Sequence, residues 1–190
     1  MRTSILLAAL FIFFFESCKR SGTLEERQDT NALYERFNGR YEILSATASD
    51  ALDLNFDGIA STNLKEQISG MGRLGLQVQI SDIKGANSFD EFWPEPFFDA
   101  ATPKHFDSTI SVNYSLGSAF RTFEFSKDLR KILLNPENPN KDLQRHPRPD
   151  SVIIRAGDII EVTKQKDFYS ILGWKKVTLV IEYLRFSKLN

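Results

Sequence analysis

The sequence predicts a mainly β protein, an antiparallel barrel of about eight strands with one short helix after the first strand. Three observations carry this expectation. Apolar and polar residues alternate with a period of two through most of the chain after residue 39, the pattern of strands with one face on a core. The connections are short and several carry glycine, which favours antiparallel neighbours over crossovers. Only one segment in this region has helical spacing. A meander of this length tends to close on itself, because closure removes exposed strand edges.

In chain order, the first strand is expected over Arg40 to Ala46. The motif Asp53-Leu54-Asn55-Phe56-Asp57-Gly58 follows, and then STNLKEQISGM, in which Ser61 or Thr62 can cap a helix whose Leu64, Ile68 and Met71 share one face. Gly70 and Gly72 end that helix, which can lie across one end of the barrel. Leu76, Val78 and Ile80 alternate with Gln77, Gln79 and Ser81 in the next strand. Ile110 to Leu116 and Arg121 to Phe125 read as a hairpin turning at Gly117-Ser118. The proline-rich polar stretch Asn135 to Asp150 reads as a long loop. Val152 to Arg155, Ile159 to Lys164, Phe168 to Trp174 and Val177 to Phe186 complete the set, with Val177, Leu179, Ile181 and Tyr183 on one face of the last strand.

Ahead of the barrel, Ile5 to Phe15 is an apolar block of eleven residues, the length of a signal-peptide core and short of the about 20 that a spanning helix needs. Glu16, Ser17 and Cys18, the only cysteine of the chain, follow it. A lone cysteine forms no intramolecular disulfide, so lipidation of Cys18 explains it best. The segment resembles a bacterial lipoprotein signal, which implies that residues 1–17 are cleaved off. Residues 18–33, polar and poor in large apolar groups, are a flexible tether, and 34–190 are the barrel domain. The expected location is the cell envelope, anchored in a membrane by lipid, with the outer membrane favoured and the face it points to left open.

Twenty-four basic and 25 acidic residues give a net charge of −1, which provides no field for nucleic acid. Enzyme motifs are missing too. His105 and His146 sit in polar, loop-like sequence without metal-ligand spacing, and no G-x-S-x-G elbow or phosphate-cradling glycine loop occurs. The acidic pairs Asp90/Glu91 and Glu95/Asp99 read as charge on solvated loops.

Two features point to binding. Asp53, Asn55 and Asp57, followed by Gly58 and by Ser61 at the ninth position, match the first half of a calcium loop. Leu64 stands where the bidentate glutamate belongs, so an Asx-rich turn in which these side chains bond nearby amides competes with a bound calcium ion. The stretch SFDEFWPEPFFDA places Phe92, Trp93 and Phe97 on a segment whose Pro94 and Pro96 argue against a central strand. These aromatics either plug the barrel or, with Tyr114, Phe123 and Trp174, line a pocket for a small apolar or sugar-like ligand.

Gly39-Arg40-Tyr41, the segment Asp53 to Leu64, and Gly173-Trp174 leading to Glu182-Tyr183 together resemble the lipocalin-like lipoproteins of Bacteroidota. The resemblance spans about Asn38 to Ser187 and implies a small lipocalin-like barrel. It brings no catalytic residues and no established activity. The expected function is therefore ligand binding by a membrane-anchored barrel, with a non-catalytic accessory role on an outer-membrane protein complex as the alternative.

Overall fold

The fold is described from a computed structural model over residues 24–71, 75–98, 102–107, 112–136 and 146–189. The signal segment 1–17, Cys18, the tether up to residue 23, and Asp99 lie outside these residues. The elements are α1 (Leu24–Phe37), β1 (Gly39–Leu52), β2 (Ser61–Asn63), α2 (Leu64–Gln67), β3 (Leu76–Gln79), β4 (Ser88–Phe98), β5 (Val112–Phe125), β6 (Ile132–Leu134), β7 (Ser151–Arg155), β8 (Ile159–Ser170) and β9 (Gly173–Ser187). Every strand pair is antiparallel, in the order β6-β5-β4-β3-β1-β9-β8-β7, with β2 paired to β1 alone.

The two ends of that path meet. Lys131 bridges Ile153, and Ile154 N donates to Arg130 O at 2.8 Å, so eight strands nearly close a barrel in chain order. This is the predicted meander. Alternation works as expected in β9, where Val177, Leu179, Ile181 and Tyr183 form one buried row. They belong to one buried core with Tyr41, Ile43, Val78, Phe89 and Phe123.

Five expectations need correction. The strand expected over Phe168 to Trp174 is instead the turn end of the β8–β9 hairpin, where Ser170 pairs with Gly173. The tether predicted over residues 18–33 is helical from Leu24 onward. Its composition is too polar for independent stability, but tertiary contacts with the C-terminal strand supply what is missing. Leu33 and Tyr34 pack on the core, Tyr34 Oη donates to Leu189 O at 2.7 Å, and Glu35 pairs with Lys188. This helix, not α2, meets the barrel end where β1 begins.

The hairpin predicted at Gly117-Ser118 is one continuous strand, β5, and its partner is the aromatic, proline-bearing stretch, which forms β4 rather than a loop. The prolines fit because of parity. Phe92 N points away from β5 and donates to Gly75 O at 2.9 Å, so positions 94 and 96 also direct their missing N–H groups away from β5, beyond the last residue of β4 paired with β3. Finally, α2 is a single turn capped by Asn63, whose side chain accepts from Lys65 N, and not by Ser61 or Thr62. Its apolar face is the predicted one, with Leu64, Ile68 and Met71 all buried. Among the described residues no helix is long and apolar enough to cross a membrane.

Candidate functional site

The most chemically loaded region is the lumen itself. In the closed order, β4 and β8 are separated by three strands in either direction, so their inward rows face each other across the barrel axis. Alternation sends Glu91, Trp93 and Glu95 inward from β4 and Lys164 and Lys166 inward from β8. The result is two ion pairs, one above the other. Lys164 Nζ lies 2.7 Å from Glu91 Oε1, and Lys166 Nζ lies 2.7 Å from Glu95 Oε1.

The two levels differ in their third partner. At the deeper level Tyr183 Oη donates to Glu91 Oε1 at 2.9 Å, and Lys164 Nζ sits 5.0 Å from the centre of the Trp93 ring, close enough for a cation–π contact. At the upper level the third partner is His146, whose Nδ1 is 3.3 Å from Glu95 Oε1. His146 comes from the residues between β6 and β7. Arg121 on β5 holds its carbonyl oxygen at 2.7 Å, and Asp150 N then donates to Thr163 O of β8 at 2.8 Å. Residues 146–150 thus run up the wall between β5 and β8.

Gly117 makes this possible. A Cβ at that position would lie 2.5 Å from His146 Cε1 and 2.9 Å from Glu95 Cγ, so only glycine lets the imidazole lie over β5 on its inner side. The glycine read from sequence as a turn is a close-approach position.

Electrostatics follow the geometry. Burial alone would raise Glu91, but the Lys164 charge with its hydrogen bond and that of Tyr183 outweigh it and hold the carboxyl below the usual range. Burial, then the neighbouring Glu91, pushes the Tyr183 hydroxyl well up. Burial pulls the Lys166 amine down against the opposing pull of Glu95. Burial likewise brings His146 below its ordinary value against the opposing pull of Glu95, with the Lys166 and Lys164 charges adding to the fall. Exposure is graded as well. The side chains of Glu91 and Lys164 are each 2% exposed, whereas Glu95 is 15% and His146 13% exposed. Trp93 is fully buried and its indole Nε1 has no hydrogen-bond partner among the described residues.

Of the aromatic candidates, Trp93 and Phe123 point into the lumen and are fully buried. Phe92 is half-buried on the outer side of β4, Phe97 is exposed, and Tyr114 packs partly on the core, where burial pushes its hydroxyl up to about 12. Trp174 pairs with Tyr169 at the turn end of the β8–β9 hairpin, its Nε1 bonded to Pro103 O at 2.7 Å and its ring 6.1 Å from that of Phe98. The six residues therefore do not converge on one pocket.

Glu91, Glu95 and His146 were expected on solvated loops and instead carry the lumen cluster, because the segment that holds the acids is a strand. His105 is exposed, as expected. An alternating reading of SFDEFWPE would have aligned Glu91 and Glu95 with Trp93; the prolines masked it.

The oxygens of the Asp53 loop are turned toward backbone amides. Asp53 Oδ2 accepts from Gly58 N at 3.0 Å, Asn55 Oδ1 from Asp57 N at 3.3 Å, and Asp57 Oδ1 from Ile59 N at 2.7 Å. Ser61 Oγ donates to Glu66 Oε2 at 2.8 Å. This is the Asx-turn arrangement, and Gly58 supplies a φ of 84°. Asp53 is buried with Oδ1 unpartnered, and the described residues hold no group of three or more His, Cys, Asp or Glu side chains that could hold a metal ion.

Comparison with protein-family models, with curated proteins and with solved structures finds no match for this chain.

Proposed function

We propose that this chain is a membrane-anchored binding protein of the cell envelope whose barrel takes a small polar, sugar-like ligand at the level of Glu95, Lys166 and His146. The observation that carries the reading is the graded polar lumen. Two ion pairs of the same kind cross it, and the upper one, with its imidazole, lies nearer solvent than the lower. Buried ion pairs are a poor route to stability, since the desolvation of each ion costs several kcal/mol. A lumen that holds six charged or ionisable side chains suits hydroxyl and carboxyl groups better than an apolar chain, which would leave those groups unmatched. The anchoring half of the proposal rests on the apolar block Ile5 to Phe15 and on Cys18 shortly after it.

The test is thermal unfolding of the full chain, purified in detergent, against a panel of monosaccharides and sugar acids. A stabilising subset that no longer stabilises Glu95→Gln supports the reading, while a flat response across the panel overturns it.

The accessory role has one observation of its own. On the outer face of β4 and β5, Phe92 and Pro94 lie beside Leu116 and Phe120, which are 53% and 62% exposed. Retention of a membrane protein by the wild-type lipoprotein but not by Leu116→Ser/Phe120→Ser would favour that role.

A further inference from the structure

We propose that Lys166 is a covalent capture site for a polar ligand bearing an aldehyde or ketone, its Nζ condensing with the carbonyl carbon to give an imine. The inference rests on the binding reading above and gives it a ligand class. Three features distinguish Lys166 from Lys164, which has the same chemistry one level deeper. Its carboxylate partner, Glu95, is shared with an imidazole that can also move protons, at 3.3 Å, and not with a tyrosine hydroxyl whose proton burial holds in place. Its partners Glu95 and His146 are 15% and 13% exposed where Glu91 is 2%, so Lys166, itself 4% exposed, is one contact from solvent. Lys164 is also held over the Trp93 ring, which favours its charged form.

The step balances without a further reactant. Glu95 accepts a proton from the Lys166 ammonium, and the freed nitrogen lone pair attacks the carbonyl carbon. A C–N bond forms and the carbonyl π pair moves to oxygen, which takes up a proton. The second proton on nitrogen is transferred, and the carbinolamine hydroxyl leaves as water with a proton returned through Glu95 or His146. A protonated imine and one water are the products, with no change of oxidation state. Burial helps because it draws the amine toward its neutral, nucleophilic form, and Glu95 limits the effect.

The experiment uses the full chain in detergent with glyceraldehyde as probe, sodium cyanoborohydride to trap the imine, and peptide mass mapping to locate adducts. Lys166 is expected to be modified faster at neutral pH than the exposed Lys84 and Lys127, because burial draws its amine toward the neutral form. Lys166→Arg keeps the charge and abolishes that fast adduct. Glu95→Gln, which removes the charge that raises the amine, moves the pH midpoint of trapping at Lys166 downward. Glycerol, which lacks a carbonyl, gives no adduct. Labelling of Lys166 at the rate of the exposed lysines overturns the proposal. If glyceraldehyde and glycerol raise the unfolding temperature while Lys166 stays unlabelled, covalent capture falls and polar binding stands; if neither shift nor label is found, both fall.

Discussion

The two ion pairs of the lumen are built from the same residue types on the same two strands, and they differ only in what surrounds them. Glu91 and Lys164 are closed in by Tyr183 and the Trp93 ring, with each carboxylate and ammonium contact satisfied by a rigid strand residue. Glu95 and Lys166 rest instead against His146, which is carried by irregular chain between β6 and β7 and lies over a glycine. Local chemistry therefore does not assign a role to a buried salt bridge. Depth and the identity of the third partner do, the lower pair acting as a strut across the barrel and the upper one as the reactive level.

Breaking the lower pair gives the largest expected effect. Lys164→Met leaves the Glu91 carboxylate buried and without its cation, which costs about 3–5 kcal/mol. Urea unfolding of the full chain measures it. Glu91→Leu with Lys164→Met recovers most of the loss, because an apolar pair of similar volume removes the orphaned charge rather than stranding it. If the double variant is no better than the single, the pair is more than a strut. The corresponding change at the upper level, Lys166→Met, costs less, about 1.5–3 kcal/mol, the worth of a hydrogen bond to a charged group with Glu95 still reaching solvent. Equal losses at the two levels would erase the contrast.

Gly117→Ala sharpens the comparison from outside both pairs. The added methyl collides with the His146 ring at 2.5 Å and must move it, at a cost of about 1–2 kcal/mol for overpacking. Glu95 loses its third partner while Glu91 keeps its own. Denaturation together with the imidazole resonances in NMR reports both consequences, and an unshifted His146 would show that the ring is not held there.

Strand alternation made most of this barrel readable from sequence, since β1, β3 and β7 to β9 follow the period of two that a half-buried sheet imposes. The lumen site was hidden for physical reasons. Pro94 and Pro96 mark a strand as irregular unless it is known which way each missing N–H points, and that depends on where β3 stops. Charges in a lumen look like surface charges because the pairing that makes them tolerable joins Glu91 to Lys164 across 73 residues. Gly117 reads as a turn until the ring that fills its space is known. The helix α1 was missed because its stability comes from Arg185, Lys188 and Leu189 at the far end of the chain.

Acid gives the smallest and most selective probe of the difference between the levels. Burial holds His146 below its ordinary 6.5, so the folded state binds fewer protons than the unfolded state between that depressed value and 6.5. Stability therefore falls as pH drops through this window and levels off beneath it, by no more than about 1 kcal/mol because the fringe of the lumen is screened by solvent. Glu91 also titrates below its unfolded value, but its contribution is full above about 4.5 and is lost only at lower pH. The upper level thus loses stability first on acidification and the lower level second. His146→Gln should remove the first loss and leave the second in place when unfolding free energies are compared between pH 7.5 and pH 3. A variant whose curve runs parallel to the wild type throughout would mean that the imidazole titrates as it does in water, and the upper pair would then have no group of its own to set it apart.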